Sequence, residues 1–255
     1  MAWNPDQYLR YADARLRPAA DLLMRVPLDQ PAQVFDLGCG AGNATRLLAG
    51  RWPAAHLTGV DDSPSMLAKA REAWPQAQWV QGDVGRWESP VPADLIYSNA
   101  ALHWLPDHAQ LLPRLMRMLK PGGVMALQMP RNFAAPSHTA IAETVRSGPW
   151  NARLQHLLGP APVAEPAAYF DMLQPHAAEL DIWETEYLHV LEGRDPVKEW
   201  TKGTWLKRFL DALDAAEAAR FEADYADRVR GAYPPRADGR TLFPFRRLFI
   251  VARAG

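Results

Sequence analysis

The sequence predicts a doubly wound, Rossmann-like α/β sheet of seven strands with a helical cap. Three observations predict it. From residue 33 to about residue 129, short apolar strands alternate with helical segments, the pattern of parallel βα units. The first of these strands ends in an acid and a glycine-rich turn, placed where parallel α/β sheets bind ligands, at the carboxyl edge. Two further apolar segments, 181–191 and 247–253, come late with helical sequence between them, so they join the sheet after the helical insertions. A chain of 255 residues is long enough for one such domain and a smaller appended subdomain.

Each element has a local reason. Residues 4–24 read as a helix, with Asn4 as cap and Pro5 in the first turn. Tyr8, Leu9, Ala12, Leu16, Leu22 and Leu23 form its apolar stripe, and Pro18 is expected to kink or split it. Residues 33–37 form a short apolar strand, followed by a helix over about 43–51. A second strand covers 56–60. Ser63-Pro64 then opens a helix to about Trp74, serine capping and proline in the first turn. Strands follow at 78–81 and 93–98. Asp107 caps a helix expected to end near Lys120, stopped by Pro121-Gly122-Gly123, and residues 124–129 form the fifth strand. Residues 130–178 read as short helices and loops. Ile182, Trp183, Tyr187 and Val190 mark a strand over 181–191. Residues 195–231 read as helical, 232–243 as a loop and 247–253 as the last strand. The organisation expected is a helical lid over 1–30, a ligand-binding core over 31–130, and cap helices over 131–255 around the last two strands.

Composition excludes several functions. The net charge is −1, which gives no long-range attraction to nucleic acid or an anionic membrane. Cys39 is the only cysteine, so an intrachain disulfide is impossible and a thiolate zinc site is disfavoured. The seven histidines show no pair at metal-binding spacing, and no metal is expected. The first residues lack a signal-type apolar core, and no apolar run approaches the roughly 18 residues of a membrane span. The expectation is a soluble, cytoplasmic monomer acting on a small molecule.

The strongest motif is Val34-Phe35-Asp36-Leu37-Gly38-Cys39-Gly40-Ala41-Gly42-Asn43. Glycines permit positive φ and close approach of a ligand to the backbone. A nicotinamide-dinucleotide loop would read G-x-G-x-x-G, whereas here the third glycine comes one residue early. Asp36 would also repel a pyrophosphate but suit a cationic ligand. No Gly-Lys-Ser/Thr follows, which excludes a P-loop. Asp61, about twenty residues on, ends the second strand, where a carboxylate can accept from two ribose hydroxyls; helix capping is its other reading, and Ser63 suits that better. Gln81-Gly82-Asp83-Val84 ends the third strand, and Ile96-Tyr97-Ser98-Asn99-Ala100-Ala101-Leu102-His103-Trp104 ends the fourth.

Over residues 30–130 these motifs resemble those of the class I S-adenosylmethionine methyltransferases. The resemblance implies a seven-stranded methyltransferase sheet that binds S-adenosyl-L-methionine and releases S-adenosyl-L-homocysteine. Asp36, Gly38, Gly40, Gly42, Asn43, Asp61, Asp62, Asp83, Val84, Asn99 and Ala100 would contact it, the Asp83 carboxylate and the next amide taking the adenine. Segments along the rest of the chain are similar to the branch of that family that esterifies small polycarboxylic acids such as trans-aconitate. They include Arg15-x-Arg17-Pro18, Gln128-Met129-Pro130-x-Asn132, Tyr169, Asp181-Ile182-Trp183 and Arg247-Leu248-Phe249-Ile250-Val251-Ala252-Arg253. His103 and Arg131 depart from the pattern of that branch, and both are candidates to border the substrate.

A carboxylate has an ordinary pKa of roughly 4, so such a substrate is ionised at neutral pH and needs no general base. Alignment would supply the rate. Recognition of a multiply charged acid calls for cations, arginine above all. Arg15, Arg17, Arg131, Arg246 and Arg247 are candidates, then Lys202 and Lys207. Arg247 enters an apolar strand, which suits either a ligand grip or a strand-edge ion pair. Tyr8, Trp104, Asn132, Tyr169 and Trp200 are further substrate candidates, and core packing is the other reading of the aromatics, as it is for Trp205. His103 suits a hydrogen bond to the substrate. It would also be the base if the acceptor were instead a quinone or phenol hydroxyl. A non-catalytic S-adenosylmethionine-binding regulator is the alternative outside enzymology, and a nicotinamide oxidoreductase a third.

Overall fold

The computed structural model describes residues 12–255, with side chains from residue 16 onward. The expected helix start at Asn4-Pro5, and the side chains of Tyr8 and Arg15, lie outside the described residues. Helix α1 (Ala12–Met24) runs through Pro18 without a break, so the expected split does not occur. Ala19 and Leu22 on its inner face are fully buried, and this packing holds the helix together where proline removes one N–H.

The sheet builds as expected from β1 (Gln33–Leu37), β2 (His56–Asp61), β3 (Gln78–Gln81), β4 (Ala93–Asn99), β5 (Leu119–Pro130), β6 (Glu179–Leu191) and β7 (Thr241–Arg253), in the spatial order β3-β2-β1-β4-β5-β7-β6. The first five strands are mutually parallel and β7 is antiparallel to β5. The reversal between β1's neighbours, β2 on one side and β4 on the other, is a topological switch point, which opens a crevice at the carboxyl ends of the strands. Val34, Leu37, Val60, Leu95, Ile96, Val124 and Leu127 are fully buried between the helical layers. Helices α2 (Asn43–Arg51), α3 (Pro64–Ala73) and α4 (His108–Met116) connect the strands. The serine and aspartate caps form as the sequence predicts: Met66 N–H donates to Ser63 Oγ, and Gln110 N–H to Asp107 Oδ1.

The helix before β5 is shorter than expected. It ends at Met116, and Leu119 already pairs with Ala93. Pro121-Gly122-Gly123 therefore lies within the β5 segment, at an irregularity in the register with β4, rather than ending a helix. Gly123 is required there because a Cβ would meet Ala93 O and Lys120 O at 2.9 Å. Lys120 is drawn into the strand by Asp94, whose carboxylate accepts from Nζ at 2.8 Å. At the other end, β7 starts at Thr241, inside the expected loop. Pro244 is tolerated because pairing with β5 begins only at Arg247.

Contacts divide the described chain into two compact units. The sheet unit holds the residues up to Pro130 together with Pro162–Thr185 and Arg247–Gly255. The helical unit holds Arg131–Ala161 and Glu186–Arg246. Its α5 (Pro136–Ser147) packs against the long α10 (Ala215–Ala232). The expected helical stretch 195–231 is broken into α8 (Pro196–Lys202), α9 (Lys207–Leu210) and α10, with Asp214 capping the last. Four-residue α6 (Asn151–Leu154) completes this unit, and α7 (Pro166–Leu173) belongs to the sheet unit. Among the described residues no helix is long and apolar enough to cross a membrane.

Candidate active site

The acid–glycine segment forms a rigid loop at the carboxyl end of β1. Gly38 and Cys39 N–H groups both donate to Val60 O, at 2.8 and 3.1 Å, which pins the loop to the end of β2. Gly40 N–H donates to Asp61 Oδ2 at 2.9 Å, and the other Asp61 oxygen accepts from Ser63 N–H at 2.9 Å. Asp61 thus joins the two strand ends, and Ser63 caps α3, as the sequence predicts. The loop is closed at its flanks and open at its centre. A Cβ on Gly38 would lie 2.1 Å from Ala101 Cβ, whereas one on Gly40, whose φ is +55°, would meet nothing within 4 Å. Asn43 begins α2, half-buried.

Asp36 lies behind this loop, only 1% exposed. Thr45 Oγ1 donates to its Oδ2 at 2.6 Å, and Oδ1 has no hydrogen-bond partner among the described residues. Burial pushes its carboxyl from the ordinary 3.8 up to about 7; the Thr45 bond opposes this and nearby Asp61 adds to it. Burial also raises Asp61, against its two backbone bonds.

The neighbouring strand ends carry the other predicted groups. Gly82 N–H donates to Asp61 O at 3.0 Å, tying β3 to β2. Asp83 is exposed; Gly85 N–H donates to its Oδ1 at 2.8 Å, while Val84 is buried. Asp62 is exposed beside this edge. Sequence reasoning missed Arg114 of α4. Its guanidinium donates to Trp87 O and Gly85 O at 2.6 and 2.8 Å and more weakly to Val84 O, so it shapes the whole segment after Asp83. At the end of β4, Ala100 takes φ +54°, a conformation that costs an L-residue roughly 1–2 kcal/mol. Its N–H donates to Gln128 O at 2.9 Å, which holds the turn. Asn99 Oδ1 is buried with no hydrogen-bond partner among the described residues.

The substrate candidates separate. His103 is buried in the single turn 102–104, its ring 4.6 Å from that of Trp104, which is 52% exposed. Trp104 is therefore not core. Arg247 is 4% exposed and donates from Nη1 to Gln128 Oε1 at 3.3 Å. Tyr169 sits deeper than the other candidates. It is wholly buried, its O–H donates to His108 Nδ1 at 2.7 Å, and its oxygen accepts from Ala164 N–H. His108 Nε2 is then the protonated nitrogen and donates to Leu102 O at 2.9 Å, so the pair braces the turn that carries His103. Arg17 lies 3.9 Å from Asp21, with both side chains largely exposed.

In the helical unit, Asn132 and Trp200 are likewise buried. Asn132 is 5% exposed, accepts from Arg246 N–H and donates to Ser137 Oγ. Trp200 is buried against His189, Phe243 and Phe245. Arg246 is exposed near Glu186, Lys202 pairs with Glu222, and Lys207 with Asp211. Arg131 N–H donates to Arg246 O. Trp205 is stacked by the Arg208 guanidinium at 3.9 Å.

Comparison with known proteins agrees with this geometry. Residues 34–123 match the family model described as a methyltransferase domain. The trans-aconitate 2-methyltransferase of Azoarcus sp. (strain BH72) is 52% identical over 250 residues, 98% of each chain. The protein of the same name from Methylobacterium radiotolerans is 48% identical over 258 residues, again 98% of each. The solved phosphoethanolamine N-methyltransferase 2 of Haemonchus contortus shares the fold at 16% identity, with a TM-score of 0.57; the match covers 94% of this chain and 53% of that one. From the alternating strands, the acid–glycine loop and a similarity that runs nearly end to end, the chain belongs to the trans-aconitate 2-methyltransferase family.

Proposed function

We propose that this chain transfers a methyl group from S-adenosyl-L-methionine to one carboxylate of trans-aconitate, as a cytoplasmic monomer. The observation that carries the reading is the loop held open at Gly40 and flanked by acids at three strand ends, in a chain of this family. The residues present fit the cofactor. Gly40 leaves room for a ligand against the main chain. Asp61 is fixed by Gly40 and Ser63 with lone pairs to spare for ribose hydroxyls, and exposed Asp83 with the Val84 amide suits adenine. Asp36, held from behind, is a neutralisable negative group next to a cationic ligand. When bound, the cofactor supplies an electrophilic methyl on a sulfonium sulfur.

The acceptor oxygen is ionised at neutral pH, so no side chain has to remove a proton. A lone pair of that oxygen forms the new bond to carbon, the carbon–sulfur bond breaks, and its electron pair stays on sulfur, giving the monomethyl ester and S-adenosyl-L-homocysteine. The protein's task is alignment and exclusion of competing water. The strained turn at Ala100 and the braced turn at His103 present a rigid edge, and Trp104 and Arg247 are our candidates for contacts to the acid. A mass-spectrometric assay with trans-aconitate, cis-aconitate, isopropylmalate and citrate tests the reading. A monomethyl ester of trans-aconitate together with adenosylhomocysteine is expected. Cofactor binding without any ester would remove the acid from the proposal, and no cofactor binding would remove all of it.

A further inference from the structure

One face of the sheet carries a row of polar side chains across its carboxyl edge. Asp36 pairs in register with Tyr97, two residues before Asn99, and Asn99 pairs with Gln128. Gln128 pairs with Phe249, two residues after Arg247. Register partners share a face, and so do residues two apart on a strand. Asp36, Asn99, Gln128 and Arg247 therefore lie on one face of four adjacent strands, all within the sheet unit.

The Gln128 side chain is 1% exposed. Arg247 has only donors to offer, so its bond at 3.3 Å fixes which end of the Gln128 amide is oxygen. The NH2 end is turned away, and Nε2 has no hydrogen-bond partner among the described residues. Beside it in the register, half-buried Asn99 presents an Oδ1 that is itself buried and has no hydrogen-bond partner among the described residues. A donor and an acceptor at paired positions do not meet. A buried amide left this way weakens the fold unless something completes it.

We propose that Gln128, oriented by Arg247, binds a carboxylate of the acid substrate that is not itself methylated. A neutral N–H donor beside a buried guanidinium selects an anion, and a planar carboxylate has two oxygens to meet both. Position favours the acid over the cofactor. The loop and the acids of the cofactor cradle sit on β1, β2 and β3, and strands are spaced by about 4.8 Å, so β5 and β7 lie roughly 10 and 15 Å beyond β1 on the far side of β4. The inference rests on the reading that a polycarboxylic acid is the substrate.

The test uses the full chain and two variants. Gln128→Glu keeps the oxygen that accepts from Arg247 and replaces the donor with a negative oxygen. Gln128→Met removes both polar atoms at similar size. Three quantities are measured: affinity for S-adenosylmethionine by calorimetry, KM and kcat with trans-aconitate, and affinity of trans-aconitate for protein loaded with adenosylhomocysteine. Loss of a buried bond to a charged group predicts a KM raised about 10-fold or more in Gln128→Met and about 100-fold in Gln128→Glu. Affinity for S-adenosylmethionine should stay within about threefold, and the thermal midpoint of Gln128→Glu should not fall. Unchanged KM in either folded variant, or a parallel loss of cofactor affinity, overturns the proposal while leaving the reaction intact. If the wild type binds trans-aconitate through Gln128 yet forms no ester, the subsite stands and the reaction falls. If the wild type neither binds nor esterifies the acid, both fall.

Discussion

Replacing Asp36 by Asn should make the protein more stable in neutral and alkaline solution. The carboxyl is 1% exposed and is pushed from 3.8 to about 7, chiefly by burial. Between those values the native state keeps a proton that the unfolded chain has released, so stability falls as pH rises and levels off above about 7. At about 1.4 kcal/mol for each pKa unit, the full gap amounts to about 4 kcal/mol. Asn has nearly the same shape, offers an oxygen to Thr45 Oγ1 and does not titrate. The two proteins should therefore be close in stability near pH 4, and the variant should gain by up to about 4 kcal/mol at pH 8. Urea unfolding of both proteins from pH 4 to 8 measures the difference and cancels every other titrating group. A difference that stays flat with pH, or that favours the wild type at pH 8, would refute the assignment of a buried, neutralised Asp36. The proposed seat of the sulfonium beside Asp36 predicts that added cofactor favours the ionised carboxylate and narrows the gap between the proteins.

Two glycines of the loop should separate stability from binding. Gly40→Ala meets no atoms and costs only the left-handed backbone, roughly 1–2 kcal/mol, but it fills the open space proposed for the cofactor, so calorimetry should show a larger loss of S-adenosylmethionine affinity than of thermal stability. Gly38→Ala must displace Ala101 as well, and roughly 2–5 kcal/mol of stability should go, read by denaturant unfolding. Tyr169→Phe removes the bond to His108 and should cost roughly 1–2 kcal/mol in the same measurement. An unchanged KM for the acid would mark Tyr169 as a brace, and a large selective rise in KM would place it at the substrate site.

Much of the fold is legible in the sequence because local and tertiary preferences coincide. The first five strands begin within a residue of their expected starts except β5, and the caps at Ser63 and Asp107 form as predicted. The exceptions are places where tertiary contacts overrule a local signal. Pro121-Gly122-Gly123 reads as a helix stop, yet the segment is claimed by β4 and Asp94. Pro18 reads as a break, yet a buried face carries the helix through it. At the candidate site, the glycine turn and the strand-end positions of its acids are legible because special φ angles and strand-end acids leave a mark in residue type. Tyr169, Asn132 and Trp200 carry no such mark: their burial depends on tertiary packing that residue type alone does not encode. Gln128 was visible only as one letter of a longer resemblance; its significance lies in a cross-strand register that no local pattern encodes.

Arg114 fastens residues 84–87 without reading them. It binds carbonyl oxygens, which every residue type possesses, so the segment after Asp83 can change its side chains and keep its course. The geometry of that irregular stretch is stored about thirty positions downstream, in one cation on helix α4. Substitutions within the stretch are free to retune whatever lies against it, such as solvent or a nucleobase edge, without redesigning the backbone that presents them. The same economy concentrates risk: one codon, outside every recognisable motif, guards the shape of a neighbouring one.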